Sequence, residues 1–190
     1  DLVRSRGLGD VYKRQVLGGF FTEDVRVDNH ALNGRSSKSF IDEGHWKEVI
    51  DNVRPGDYVF IQFGHNDEKP KPDRHTDPGT TFDENLRKFV RETREKGGIP
   101  VLFNSIVRRN FGENPNAVTD DDFRKEKADE IVEGDTLVDT HGKYLDSPRN
   151  VAREMGVCFI DLNAATKKLV ESYGCLLYTS PSPRDRTRSR

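Results

Sequence analysis

His65, Asn66 and Asp67 stand directly after Gly64, at the end of an apolar run, DYVFIQF at 57–63. Asn66 brings a side-chain NH2 donor. Gly34 lies in a second polar stretch, NHALNGRSS at 29–37, and offers a backbone N–H with no side chain in the way. Two such donors aimed at one point could hold a developing negative oxygen, the task of an oxyanion hole in acyl transfer. The plainer reading is a turn whose Asn and Asp bond only their own backbone. A metal centre would draw on His30, His65, His75 and Asp67, but their spacings fit no common zinc signature, so no metal is expected. Gly18-Gly19 and Gly97-Gly98 are too sparse for a Gly-rich phosphate cradle.

These residues need a scaffold that brings loop ends together. Residues 58–63 are aromatic or β-branched almost without interruption, which predicts a strand covered on both faces, as in a parallel sheet between helices. In such sheets ligand groups sit beyond the carboxyl ends of the strands, where both polar stretches fall. A helix tail over 16–21 and a short strand at 25–27 are expected first. Ser36 or Ser37 caps the next helix, which carries Phe40, Ile41, Trp46, Val49 and Ile50. Residues 54–57 form a turn and 68–81 an exposed loop. A helix over 82–96 puts Phe82, Leu86, Phe89 and Val90 on one face and ends at Gly97-Gly98. A strand follows at 99–107, with Pro100 near its start. Residues 108–140 are long, charged and weakly periodic, with a short helix expected at 121–132. A helix over 146–155 stops at Gly156, a strand follows at 157–160, and a last helix runs over 163–173. The alternation predicts an α/β fold with a doubly wound parallel sheet and right-handed crossovers.

The two ends read as something other than protein-coding sequence. Residues 10–15 can be encoded GAT GTG TAT AAG AGA CAG, and residues 175–180 TGT CTC TTA TAC ACA TCT. The second string is the reverse complement of the first, shifted by one base, and both match the mosaic end used in transposase-based library preparation. The match continues outward into the adaptor arms and the sample index. Residues 1–15 and 175–190 are therefore expected to be adaptor-derived, leaving 16–174 as a partial domain. The basic tail and Cys175 drop out of the functional reading with them.

With the eight Lys/Arg and three Asp/Glu of those ends set aside, 23 basic and 30 acidic residues remain, a net charge of −7 against −2 for the whole chain. That balance argues against a nucleic-acid surface, and no apolar run approaches the length of a membrane span. Cys158, in an apolar strand, reads as inert packing and does not report a redox compartment.

The stretches NHALNGRSS at 29–37 and FGHND at 63–67 resemble the second and third blocks of the SGNH (GDSL-type) hydrolases. More narrowly they resemble the rhamnogalacturonan acetylesterase branch, which the GDYV lead-in at 56–59 and the GVCFIDL strand at 156–162 also fit. The resemblance implies a flavodoxin-like three-layer α/β/α fold whose first strand and C-terminal helix lie outside residues 16–174. It makes the Gly34 backbone N–H and the Asn66 side chain two of three oxyanion donors. It places the nucleophile and third donor, the Ser of Gly-Asp-Ser, upstream of residue 16, and the Asp-x-x-His acid and base downstream of 174. Ser36, Ser37 and Ser105 are not expected to replace that serine. His65 and His141 are candidate substrate contacts, each with a structural alternative in which the ring fixes its loop.

The implied reaction is serine-dependent removal of O-acetyl groups from a pectic polysaccharide, with no cofactor. Partners would be an acetylated polysaccharide or oligosaccharide, with no nucleic acid and no membrane; a secreted or periplasmic parent is compatible with this. The chain itself is expected to be inactive. The alternatives are a non-catalytic carbohydrate-binding module, or a lipase or thioesterase of the same superfamily.

Overall fold

A computed structural model describes residues 21–22, 24–108, 137 and 139–173. It divides into two units, residues 1–34 and 35–190. The helix expected at 16–21 lies outside the described residues except for Phe21, and that at 121–132 lies wholly outside them.

The described part of the first unit is irregular. Residues 25–27, expected as a strand, carry no ladder; Val25 N–H instead closes a turn onto the Thr22 carbonyl at 3.0 Å. The β-branched residues there suit a strand, but a strand exists only where a neighbour takes its backbone groups.

The second unit is an α/β assembly. Its elements are α1 (Ser37–Asp42), α2 (His45–Asn52), β1 (Tyr58–Gln62), α3 (Thr81–Glu95), β2 (Ile99–Phe103), a 3-10 turn (Gly142–Leu145), α4 (Asp146–Met155), β3 (Cys158–Ile160) and α5 (Leu162–Tyr173). The strands pair in parallel in the order β1-β2-β3, with Val59 opposite Pro100, Ile61 opposite Leu102, and Leu102 opposite Phe159. No helix among the described residues is long and apolar enough to cross a membrane.

Ser36 caps α1 in a reciprocal box with Ser39: its hydroxyl accepts from Ser39 N–H at 3.1 Å and its own N–H donates to Ser39 Oγ at 2.9 Å, satisfying two otherwise orphaned donors. The single helix expected over Phe40 to Ile50 is broken at Gly44, whose φ of 81° starts α2 afresh. A left-handed residue cannot continue a right-handed helix. Gly156, at φ 61°, ends α4 as expected.

The core lies on one face of the sheet. Ile61 and Leu102 meet Phe82, Leu86, Phe89 and Val90 of α3, Val151 and Ala152 of α4, and Phe40 and Trp46 of α1 and α2. The Phe89 ring sits 4.4 Å from Trp46 and 5.2 Å from Phe63. On the opposite face Val101, between Phe60 and Cys158 in the register, is buried, while the positions around it are open. Tyr58, Phe60, Ile99 and Ile160 are 67%, 50%, 40% and 42% exposed. Cys158 on that face is exposed rather than packed. The strands' uninterrupted apolar character suits a sheet covered on both faces, and α3 and α4 supply the cover on the Ile61 and Leu102 side.

Phe89 touches both aromatic neighbours and is fully buried. Phe89→Ala is expected to cost about 3–5 kcal/mol, read as a lower urea midpoint with an unchanged slope.

Candidate active site

Every strand of the sheet ends in a polar loop, and these loops form one connected hydrogen-bond system. Gly64 turns the chain out of β1 at φ 127°, and a Cβ placed there would stand 2.8 Å from Ser105 Oγ. Both constraints require glycine. Ser105, 1% exposed, donates back to the Phe63 carbonyl at 3.3 Å and so joins the ends of β1 and β2.

Asp67 is fully buried. Its carboxylate accepts from Ser37 N–H at 3.0 Å, Ser37 Oγ at 2.5 Å, Gly64 N–H at 3.0 Å and Thr76 Oγ1 at 2.8 Å. Burial pushes the Asp67 carboxyl up, and these four donors pull against it. The bond to Gly64 is the local turn contact; those to Ser37 reach 30 residues back and clamp the loop to the start of α1. Beside it Asn66, half-buried, donates from Nδ2 to the Arg35 carbonyl at 3.1 Å. Tyr144 closes the far side, donating to the Thr76 carbonyl at 2.5 Å. Burial first, then the nearby Asp67, Asp77 and Glu68, push its hydroxyl up to about 12.

The two histidines singled out in the sequence meet. His65 Nδ1 lies 3.1 Å from His141 Nε2, with ring centroids 5.2 Å apart. His141 is 1% exposed, and its other nitrogen, Nδ1, lies 2.7 Å from Asp139 Oδ1. Asp139 also accepts from the His141 backbone at 3.1 Å and from Asn163 Nδ2 at 2.6 Å. Burial works against this charge, but the His141 side chain and backbone and the Asn163 amide more than offset it and hold the carboxyl at about 2. Asn163 N–H in turn donates to Asn104 Oδ1 at 2.9 Å, and Asn104 Nδ2 to Asp161 Oδ1 at 2.8 Å. Arg108 donates to the His65 carbonyl at 3.3 Å and pairs with Glu68.

Asp139, Asn104, Asn163 and Arg108 escape sequence reasoning. The one available signal was positional: Asn104 and Arg108 follow β2 and Asn163 follows β3, while Asp139 had none.

Gly34, in the first unit, has a left-handed φ of 75°, and Asn66 lies in the second. The histidines of the metal reading have different contacts: His30 lies beside Asp28 at 3.6 Å, His75 beside Asp77 at 3.2 Å, and His65 on His141. Among the described residues no group of three or more His, Cys, Asp or Glu side chains could hold a metal. The Ser36, Ser37 and Ser105 hydroxyls are engaged with Ser39, Asp67 and the Phe63 carbonyl. An Asp-x-x-His spacing occurs at Asp42 to His45, but that imidazole pairs with Glu43 at 3.0 Å at the start of α2.

A parallel α/β sheet with its polar side chains gathered at the strand ends is the architecture of an SGNH-type hydrolase. The chain belongs to the GDSL-like Lipase/Acylhydrolase family, which matches residues 5–176. It is 40% identical over 160 residues to the rhamnogalacturonan acetylesterase RhgT of Bacillus subtilis, covering 84% of this chain and 59% of that protein. It is 41% identical over 98 residues to the probable rhamnogalacturonan acetylesterase YesY of the same organism, covering 51% and 45%. A rhamnogalacturonan acetylesterase of Emericella nidulans is 25% identical, covering 87% and 67%. The crystal structure of the Bacillus subtilis protein YxiM shares the fold, with a TM-score of 0.63 at 23% identity over 85% of this chain and 40% of that one. The chain thus spans about half to two thirds of the length of these curated relatives, and its resemblance to the acetylesterase branch extends well beyond the two short blocks.

Asp67→Asn sets an NH2 group against surrounding donors and is expected to cost roughly 3 kcal/mol of stability, whereas Asn66→Ala loses one half-buried bond and should cost about 1 kcal/mol. Chemical denaturation of both variants separates the clamp from its neighbour.

Asp139, with its folded-state carboxyl at about 2 against an ordinary 3.8, stabilises the fold above the higher value and loses that contribution as pH falls through the lower one. After allowance for solvent screening this amounts to about 1–2 kcal/mol. The stability difference between the parent chain and Asp139→Ala is therefore expected to narrow from pH about 5 to about 2.

Proposed function

We propose that this chain carries part of a carbohydrate O-acetylesterase acting on acetylated rhamnogalacturonan or a closely related pectic polysaccharide. The observation that carries the reading is the clamped Asn66 amide. A buried carboxylate next to it in sequence holds its loop at the carboxyl end of β1, in a chain 40% identical to a rhamnogalacturonan acetylesterase.

In this reading the Asn66 side chain and the Gly34 backbone N–H donate to the carbonyl oxygen of the bound acetyl group as it becomes an oxyanion. A serine hydroxyl attacks the acetyl carbon while a histidine takes its proton, and the tetrahedral intermediate expels the sugar hydroxyl, which recovers that proton. Water, deprotonated by the same histidine, then releases acetate and restores the serine. The serine and the Asp–His pair come from segments flanking residues 16–174, and residues 1–15 and 175–190 derive from sequencing adaptors.

The test begins with resequencing the source DNA outward from both ends of 16–174 and expressing the recovered protein. That protein is expected to release acetate from acetylated pectin fragments, and Asn66→Ala in it to lower kcat about 10²–10³-fold. The chain 1–190 is expected to release none. Acetate release by 1–190, or full activity in the Asn66 variant, would overturn the assignment.

A further inference from the structure

The Asp67 clamp reaches one side chain further than its four donors. Asn85, half-buried in α3, donates from Nδ2 to Ser37 Oγ at 3.0 Å, and Ser37 Oγ donates to Asp67 Oδ1 at 2.5 Å. The carboxylate sets the direction. An ionised Asp67 only accepts, and the Ser37 hydroxyl has a single proton, so that proton goes to Asp67 and the group facing the Ser37 oxygen from α3 must be a donor. An amide supplies one; a carboxylate of the same shape does not. The bonds also polarise one another, since a hydroxyl that accepts from a donor is itself a stronger donor. Asn is a poor residue for a helix interior, so alanine at this position would favour α3 itself. What Asn85 adds is the donor.

The turn after β1 is held on the start of α1 at two points. Asp67 takes the Ser37 N–H at 3.0 Å as well as its hydroxyl, and Asn66, one residue earlier, donates from Nδ2 to the Arg35 carbonyl at 3.1 Å. A primary amide is planar with two protons, so fixing one on Arg35 also fixes the direction of the other. A shift of Ser37 against Asp67 therefore turns the Asn66 amide.

We infer that Asn85 is a positioning residue for the Asn66 amide, acting from α3 through Ser37 and Asp67. The use of that amide as an oxyanion donor rests on the esterase reading; the linkage rests on the geometry alone.

The test in chain 1–190 is a double-mutant cycle read on the 15N-labelled side-chain amide of Asn66. Asn85→Ala removes the donor and is expected to move the Asn66 NH2 resonances. Asn85→Asp keeps the shape but sets lone pairs against the Ser37 oxygen, and is expected to move them further. In a Ser37→Ala background the backbone N–H still reaches Asp67 but the hydroxyl is gone, and neither change at position 85 should move them. An Asn66 amide indifferent to both Asn85 variants, or moved as much without the Ser37 hydroxyl, overturns the inference. If the Asp variant fails to fold, the Ala variant, which suits a helix, still decides.

In the longer protein recovered by resequencing, Asn85→Asp is expected to lower kcat roughly tenfold with KM unchanged, because a misplaced oxyanion donor is felt in the transition state and not in substrate binding. A mere loss of stability would lower the folded fraction and leave the turnover of each folded molecule intact. Full turnover in both Asn85 variants overturns the positioning role and leaves the esterase reading standing. A recovered protein that releases no acetate, with the Asn66 amide shifted as expected in chain 1–190, counts against the esterase reading and leaves the linkage standing.

Discussion

A carboxylate sealed from water at Asp67 is the constraint on which the site geometry depends. Removing an ionised carboxylate from solvent costs several kcal/mol unless its lone pairs are taken up. Here two backbone N–H groups and two hydroxyls take them up, drawn from the start of α1, the turn after β1 and the loop at Thr76. None of these segments can shift without uncovering the charge. The residues before Asp67 inherit that rigidity: the Asn66 amide is fixed on the Arg35 carbonyl, and the His65 ring is delivered to His141.

The same economy governs the other strand ends. Parallel register sets the carboxyl ends of β1, β2 and β3 side by side, and each then exposes backbone groups that the ladder no longer uses. Asn104 and Asp161 accept the Asn163 and Ala164 N–H groups at the start of α5, and Asn104 donates to Asp161. Asp139 and His141 extend the system to β1. A buried polar network of this kind is stable only when nearly every member is satisfied. Arg149 on Asp161, at 2.5 Å, completes it from α4. The apolar core beneath, built on Phe82, Leu86, Phe89 and Leu102, supplies the rigid floor that keeps the donors in place.

Sheet and site are asymmetric in a related way. The helices α3 and α4 cover the face that carries Ile61 and Leu102, while Tyr58 and Phe60 point away from them. On the far face Val101, beside Phe60 in the register, is buried while its neighbours are open, because an apolar residue type records what a position tolerates and not what lies over it. Cys158 shows the same gap: apolar in pattern, exposed in fact.

What the sequence determined by itself is what short-range spacing carries. The α/β alternation, the Ser36 cap, the amphipathic face of α3, the stop at Gly156 and the placing of the GHND turn at a strand end are written within a dozen residues each, in types whose backbone preferences are intrinsic. The acetylesterase resemblance was legible for the same reason, since its blocks are contiguous. The break at Gly44 and the missing strand at 25–27 were not, because one depends on which φ the fold demands and the other on whether a partner strand is present. The meeting of His65 with His141, 76 residues apart, the reach of Asp67 to Ser37, and the contact of Asn163 with Asp139 belong to the tertiary structure alone. A hydrogen bond is directional and short, and no pattern along the chain says which two distant side chains will be brought within 3 Å.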